Sequence, residues 1–205
     1  MCLEMRKREI FNKMFASGIS YEEYTKKNDY HVERMKESWF ILAKEVKKIP
    51  LTQISSLNEK LLVLCIAENW CGDCANGVPV IARLAEECNN WDFRIVPRDN
   101  FTEEVERFYT TVGRKKIPLV IFADEEGDEI MRWVERPTRC YHLLGMLRDQ
   151  NLSKEEFLEQ YNALNEFKNP SISQEILREL ITVADKASAI VHVNSPEKKP
   201  KLLVH

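Results

Sequence analysis

Leu61-Leu62-Val63-Leu64-Cys65-Ile66-Ala67 is an unbroken apolar run that follows the polar residues Asn58, Glu59 and Lys60. It has no polar alternation, so neither side of it suits water, and it falls far short of the ~20 residues needed to cross a bilayer. It reads as a central strand buried on both faces, of the kind found in parallel sheets, and that requirement makes the chain α/β. Trp70-Cys71-Gly72-Asp73-Cys74 comes next and opens a helical pattern carrying Val78, Ile81, Leu84 and Ala85. Cys71 is thereby expected at the mouth of a helix and Cys74 one turn inside it. Unpaired backbone N–H groups at a helix start favour thiolate over thiol at the first sulfur.

A C-x-x-C can be a redox pair, half of a zinc site, or two buried small apolar residues. Its place between strand and helix favours redox chemistry, with Cys71 as candidate nucleophile, Cys74 as resolving thiol, and Gly72 and Asp73 tuning the pair. A metal or iron–sulfur site needs two further ligands. Cys140 and His142 are the close pair on offer, and nothing in the sequence brings them to the motif, so no metal and no cofactor is expected.

The remaining pattern frames this site. Met5, Ile10, Phe11, Met14 and Phe15 start a helical region, residues 3–48, that Gly18 interrupts; Ser20 to Glu23 has the form of a capping box. From about Asp29 to Lys48, Val32, Met35, Trp39, Leu42 and Val46 make one continuous helix face, read as core packing, and Pro50 ends it. Pro79 is expected to bend the helix Gly72 to Cys88. Phe93 to Val96 makes a second strand, and Thr102 is expected to cap a helix to about Thr111 that Gly113 terminates. Leu119 to Phe122 and Glu129 to Val134 form a hairpin around the acidic turn Asp124 to Asp128, and Thr138 starts a helix with Leu143, Leu144 and Leu147. Residues 61–149 thus read βαβαββα. A second capping box, Ser153 to Glu156, and a helix from Ser171 with Ile176, Leu180, Val183, Ala187 and Ile190 complete the pattern. The expected organisation is a helical extension at 1–59, a core at 60–150, a helical appendage at 151–193 and a mobile, proline-containing tail at 194–205.

A formal charge of −3, from 30 basic and 33 acidic residues spread along 205, gives no general attraction for nucleic acid or anionic lipid, so neither partner is expected. The start of the chain has charges but no following apolar segment, which points to the cytoplasm. There are six cysteines, but Cys65 and Cys88 lie in apolar-patterned segments of a chain large enough to fold without staples, and they read as reduced structural residues.

The order of elements, with Trp70-Cys71-Gly72-Asp73-Cys74 at the first core helix, Pro79 within it and Ile117-Pro118 before the hairpin, resembles the thioredoxin superfamily. Within it the chain is similar to bacterial thioredoxin-like proteins with an N-terminal helical extension, a Trp-Cys-Gly-Asp stretch and a counterpart of Gly18 to Tyr24. The resemblance spans about residues 60–149. It implies a thioredoxin-like fold, a mixed four-stranded sheet flanked by helices, with N- and C-terminal helical extensions. It also implies a cis peptide at Ile117-Pro118 beside the sulfurs, and thiol-disulfide exchange with a protein disulfide as substrate and an unidentified electron donor. Trp70 would shield the sulfurs, and the backbone of Ile117 beside Pro118 would pair with an extended substrate segment.

The departures from that pattern are as informative. Cys65 stands where thioredoxins usually have a buried Asp that assists proton transfer at the second thiol, and Ile95 aligns with a frequent Lys. Asp73 replaces the usual Pro and puts a negative charge near the thiols, opposing the helix terminus. Arg114, Lys115, Lys116, Arg136 and Arg139 would form a basic rim. Cys65 is a possible third thiol beneath Cys74, although a buried Cys is ordinarily a small hydrophobe. The alternative to an oxidoreductase is a non-catalytic protein-binding module using the groove beside Pro118.

Overall fold

The computed structural model describes residues 3–26, 31–57, 59–164 and 171–194. β1 (Leu61–Ala67) is central in a four-stranded sheet of order β2-β1-β3-β4, with β2 at Trp91–Pro97, β3 at Leu119–Ala123 and β4 at Glu129–Val134. Leu61 and the five residues Val63 to Ala67 are fully buried. Successive strand residues point to opposite faces, so this continuous burial means that both faces of β1 are covered. β1 runs parallel to β2, with Cys65 opposite Ile95, and antiparallel to β3, with Cys65 opposite Val120. The sheet is therefore mixed: the parallel pairing expected of β1 holds on one side only, because the β3–β4 hairpin enters on the other.

α5 (Gly72–Glu87) follows β1 and runs unbroken through Pro79. α3 (Val32–Val46) lies along α5, burying Val32, Met35, Leu42 and Val46, so its apolar stripe is core. Trp39 of that stripe is half-buried and stacks on Tyr21, with ring centroids 4.5 Å apart. The Tyr21 ring belongs to α2 (Tyr21–Tyr24), which Ser20 and Glu23 start as the expected capping box. α9 (Ser171–Asn194) packs on α5, β3 and β4 and buries Ile176, Leu180, Ala184 and Ala187 in the same core as the sheet. α1 (Leu3–Ala16) buries Phe11 and Met14 and reaches β4 through the Lys7–Glu129 ion pair. α7 (Thr138–Arg148) and α8 (Lys154–Ala163, with its capping box at Ser153) complete the described chain.

Several local expectations change. A short helix, α4 (Leu51–Ser56), follows Pro50. Thr102 is not the N-cap of α6 (Thr102–Phe108), a position Phe101 holds: a 3-10 turn, Arg98–Phe101, leads straight into the helix, and the Thr102 hydroxyl donates back to the Asp99 carbonyl at 3.3 Å. Gly113 does not terminate α6, which ends earlier; it lies in the turn Thr111–Arg114 at φ +67°. Asp29 and residues 195–205 lie outside the described residues, and the expected mobility of the tail with them.

The segment between α1 and α2 also touches the sheet. Ile19 and Ile95 exchange two backbone hydrogen bonds of 2.9 Å, which adds a one-residue antiparallel bridge outside β2. Gly18 makes this approach possible, since a Cβ there would stand 2.6 Å from Cβ of Arg94.

Candidate active site

The end of β1 and the start of α5 place the two sulfurs in different surroundings. Cys71 is the N-cap residue of α5, with extended backbone at φ −85° and ψ 122°, and its sulfur accepts the N–H of Cys74 at 3.3 Å. That bond satisfies one of the orphan donors of the helix start and favours negative charge on the acceptor. Cys71 is half-buried and Cys74 wholly buried. The Cys74 sulfur accepts only a 3.5 Å contact from the Glu68 N–H.

Ionisation follows these surroundings. The Cys74 thiol, donating toward Cys71, lowers the Cys71 pKa below the ordinary thiol value; burial opposes this, the Cys74 and Asp73 backbone N–H groups assist it, and the Asp73 charge opposes it. Burial first, and then the donation to Cys71, pushes the Cys74 pKa well up. Burial likewise raises Cys65, which is fully enclosed beneath the site. The pair therefore combines one accessible sulfur that ionises readily with one concealed sulfur that does not, the asymmetry that sequential thiol-disulfide exchange requires.

The Ile117-Pro118 peptide is cis, and the Ile117 carbonyl accepts from the Cys71 thiol at 3.7 Å. The loop therefore stands directly beside the reactive sulfur. Gly77 sets how closely α5 approaches it, because a Cβ at this position would lie 2.8 Å from Cγ of Pro118 and 3.4 Å from Cζ3 of Trp133. Trp70 is 47% exposed with the Arg98 guanidinium 5.0 Å from its ring centroid, so one face of this aromatic is engaged by a cation. Gly72 is exposed with open space around its Cα.

Asp73 is not a bare charge. Arg136 donates to its carboxylate at 2.5 Å, and burial raises its pKa against that pull. Arg136 also pairs with Glu135 at 3.2 Å, while Lys116 and the Tyr141 hydroxyl donate to the same Glu135. Lys115 pairs with Glu106 at 3.4 Å. Lys115, Lys116 and Arg136 of the expected basic rim thus face carboxylates, which offsets much of its charge. Among the described residues no cluster of potential metal ligands exists, Cys140 and His142 included, and the five described cysteines are free thiols.

The structure brings together Cys71, Cys74, Asp73, Ile117 and Pro118, with Trp70 and Gly72 on the exposed rim. Sequence reasoning missed the Arg136–Asp73 pair, Gly77 and Tyr24, whose side chain is buried against the same corner. A glycine inside an otherwise helical pattern was the one available signal for Gly77, since such a residue usually marks a close approach.

Comparison with known proteins agrees with this architecture. Two solved structures share the fold. One is a protein of unknown function from Pseudomonas aeruginosa, 17% identical with TM-score 0.57, covering 86% of this chain and 97% of its own. The other is an HIV epitope-scaffold, 15% identical with TM-score 0.56, covering 84% and 95%. No curated protein matches the sequence. A thioredoxin family model matches residues 18–152, a span that takes in α2, α3 and α4 as well as the sheet. With most of its length inside that match, and with the mixed sheet, the cis-proline loop and the C-x-x-C helix all present, the chain belongs to the thioredoxin family.

Proposed function

We propose that the protein is a thiol-disulfide oxidoreductase acting on protein disulfides. The observation that carries this reading is the inequality of the two sulfurs: Cys71 caps a helix and is favoured as thiolate, and Cys74 is buried and held as thiol. The Cys71 thiolate attacks one sulfur of the substrate, forming a mixed disulfide and expelling the first substrate thiolate. Cys74, once deprotonated, attacks Cys71, so that a Cys71–Cys74 bond forms and the second substrate thiol leaves. Two electrons pass to the substrate, and a separate, unidentified electron donor must restore the dithiol. Trp70, Ile117 and Pro118 form the substrate surface, an extended segment pairing with the backbone of Ile117. Asp73 and Gly72 tune the pair.

A reducing compartment, the cytoplasm, suits this direction of exchange. No helix among the described residues is long and apolar enough to cross a membrane. The net charge of −3 favours neither nucleic acid nor an anionic surface as partner.

The test is an equilibrium titration in thiol-disulfide buffers, with alkylation and peptide mapping. Cys71 and Cys74 are expected to oxidise together near or below the cytosolic glutathione poise of about −220 to −320 mV. A clearly higher potential makes the protein an oxidant or isomerase. If no Cys71–Cys74 disulfide forms at any potential, the catalytic reading fails and a binding module takes its place.

A further inference from the structure

β4 ends at Val134, and the two residues after it join separate parts of the site. Glu135 has a left-handed backbone, φ +61°, which its Cβ makes unfavourable and which glycine or asparagine would adopt more easily. A tight turn holds it there, since the Arg136 N–H donates to the Val134 carbonyl at 2.7 Å. The Glu135 N–H donates to the Pro118 carbonyl, also at 2.7 Å, which extends the β3–β4 pairing one step beyond Leu119 and Val134 into the loop beside Cys71. The Glu135 carboxylate reaches the same loop: Lys116 donates to one oxygen, which also accepts from the Tyr141 hydroxyl of α7 at 2.6 Å. Its other oxygen accepts from Arg136 at 3.2 Å, and Arg136 in turn donates to Asp73 within the C-x-x-C at 2.5 Å. Ion pairs in open water contribute little, but the side chains of Asp73, Lys116, Glu135 and Arg136 are only 14% to 21% exposed. Burial opposes the Glu135 charge, and donation from Lys116 and Tyr141 outweighs it, so its pKa lies below the ordinary carboxylate value. Strain at a residue that holds one loop with both its main chain and its side chain points to the placing of that loop as its role.

We propose that Glu135 is a positioning residue for substrate: its N–H on Pro118 and its carboxylate on Lys116 and Arg136 clamp the Ile117-Pro118 loop against the C-x-x-C helix. This inference rests on the oxidoreductase reading, in which an extended segment pairs with the backbone of Ile117. A segment that meets a backbone already in place binds at a smaller entropic cost than one that must order the loop as it docks. A small disulfide reaches Cys71 without that pairing and gains nothing from the clamp. Glu135 therefore selects extended peptide disulfides over small ones, and it does so without taking part in any bond made or broken in the exchange.

The test compares the full chain with Glu135→Asn, a residue that suits φ +61° and keeps the N–H but has neither the charge nor the length to hold Lys116. Two substrates are used, an uncharged peptide carrying its disulfide in an extended segment and a small aromatic disulfide, with kcat and KM measured for each. In Glu135→Asn the ratio of kcat/KM for the peptide to kcat/KM for the small disulfide is expected to fall by about tenfold, mainly through KM for the peptide. Lys116→Met cuts the same link from the loop side without touching the strained residue, and is expected to lower the ratio by about three- to tenfold. Should Glu135→Asn fail to fold, Lys116→Met decides alone. A ratio within about twofold of wild type in either folded variant, whether both rates hold or both fall together, overturns the proposal and leaves the oxidoreductase reading standing. A wild-type protein that reduces neither substrate refutes the oxidoreductase reading, and the proposal falls with it.

Discussion

Replacing Gly77 by alanine adds one methyl group to α5 at the point where the helix meets the Ile117-Pro118 loop. The new Cβ would stand 2.8 Å from Cγ of Pro118 and 3.4 Å from the Trp133 ring. Carbon atoms settle at about 3.5–4.0 Å, so helix and loop must part by about 1 Å. Two contributions to stability oppose each other. Alanine is better than glycine inside a helix by about 0.8–1 kcal/mol, whereas overpacking against a closed proline ring costs about 1–3 kcal/mol. The net loss is about 0–2 kcal/mol, which lowers the melting temperature by no more than about 8 °C in a chain of this size. The geometric effect is larger, because the same shift separates Cys71 from the Ile117 carbonyl now 3.7 Å away, and a misplacement of about 1 Å can cost about a hundredfold in rate. The expected result is a ten- to hundredfold fall, in order of magnitude about that, in kcat/KM for a disulfide peptide with a modest change in melting. The alkylation rate of Cys71 should hold, since its helix-start hydrogen bond is untouched. A variant that melts higher and turns over at the full rate would show that helix propensity has won and that the Pro118 contact constrains nothing.

The Cys71 pKa should move in opposite directions in two variants: Cys74→Ala removes its strongest support and shifts the thiolate absorbance titration up, while Asp73→Asn removes an opposing charge and shifts it down; no shift, or the reverse order, sinks the electrostatic account. Burial holds the Cys140 thiol up to about 11 and Cys88 up to about 12, so the folded chain keeps these protons after the unfolded chain has lost them. Their stabilising contribution is complete below an unfolded thiol pKa of about 8.5 and disappears as pH rises toward those values, so melting temperature should fall across that window. Ser20→Ala breaks the capping box of α2 and should cost about 1 kcal/mol in a denaturant titration; an unchanged midpoint would mean that tertiary packing alone holds that helix. Lys115 is already paired with Glu106, so Lys115→Glu should alter the ratio of rates for acidic and basic disulfide peptides by less than about twofold, and a larger change would restore the basic rim as a specificity element.

What the sequence made legible is what local chemistry encodes. The run Leu61 to Ala67, the C-x-x-C at a helix start and the capping boxes at Ser20 and Ser153 each carry their signal within a few residues, and each appears as read. α4 escaped because Leu51 to Ser56 buries no side chain and so has no periodicity to detect. Thr102 was read as a cap, yet the 3-10 turn before it had already begun the helical backbone. Gly113 was read as a helix end, but at φ +67° it serves a turn, next to Val112 at φ +50°. The largest gaps concern distant partners. Arg136 and Asp73 are separated by 63 positions, and Lys116 and Glu135 by 19, so a count of charges along the chain could only report an excess of cations that the fold then pairs. Tyr24 and Gly77 belong with them, since their neighbours are defined by packing across elements.

The bridge between Ile19 and Ile95 also changes what the β2 edge offers to another chain. β2 lies at one end of the sheet order, and a strand with idle N–H and C=O groups along its outer side is a template on which another chain can dock. Here the reciprocal 2.9 Å bonds at Ile95 occupy the middle of that edge, and Gly18 lets the blocking segment lie flat against Arg94. A chain without the residues ahead of Leu61 would still carry both sulfurs and the hairpin residues, but its β2 edge would be open to pairing with another strand. The residues ahead of the sheet thus occupy part of an edge that would otherwise present idle N–H and C=O groups to a neighbouring strand.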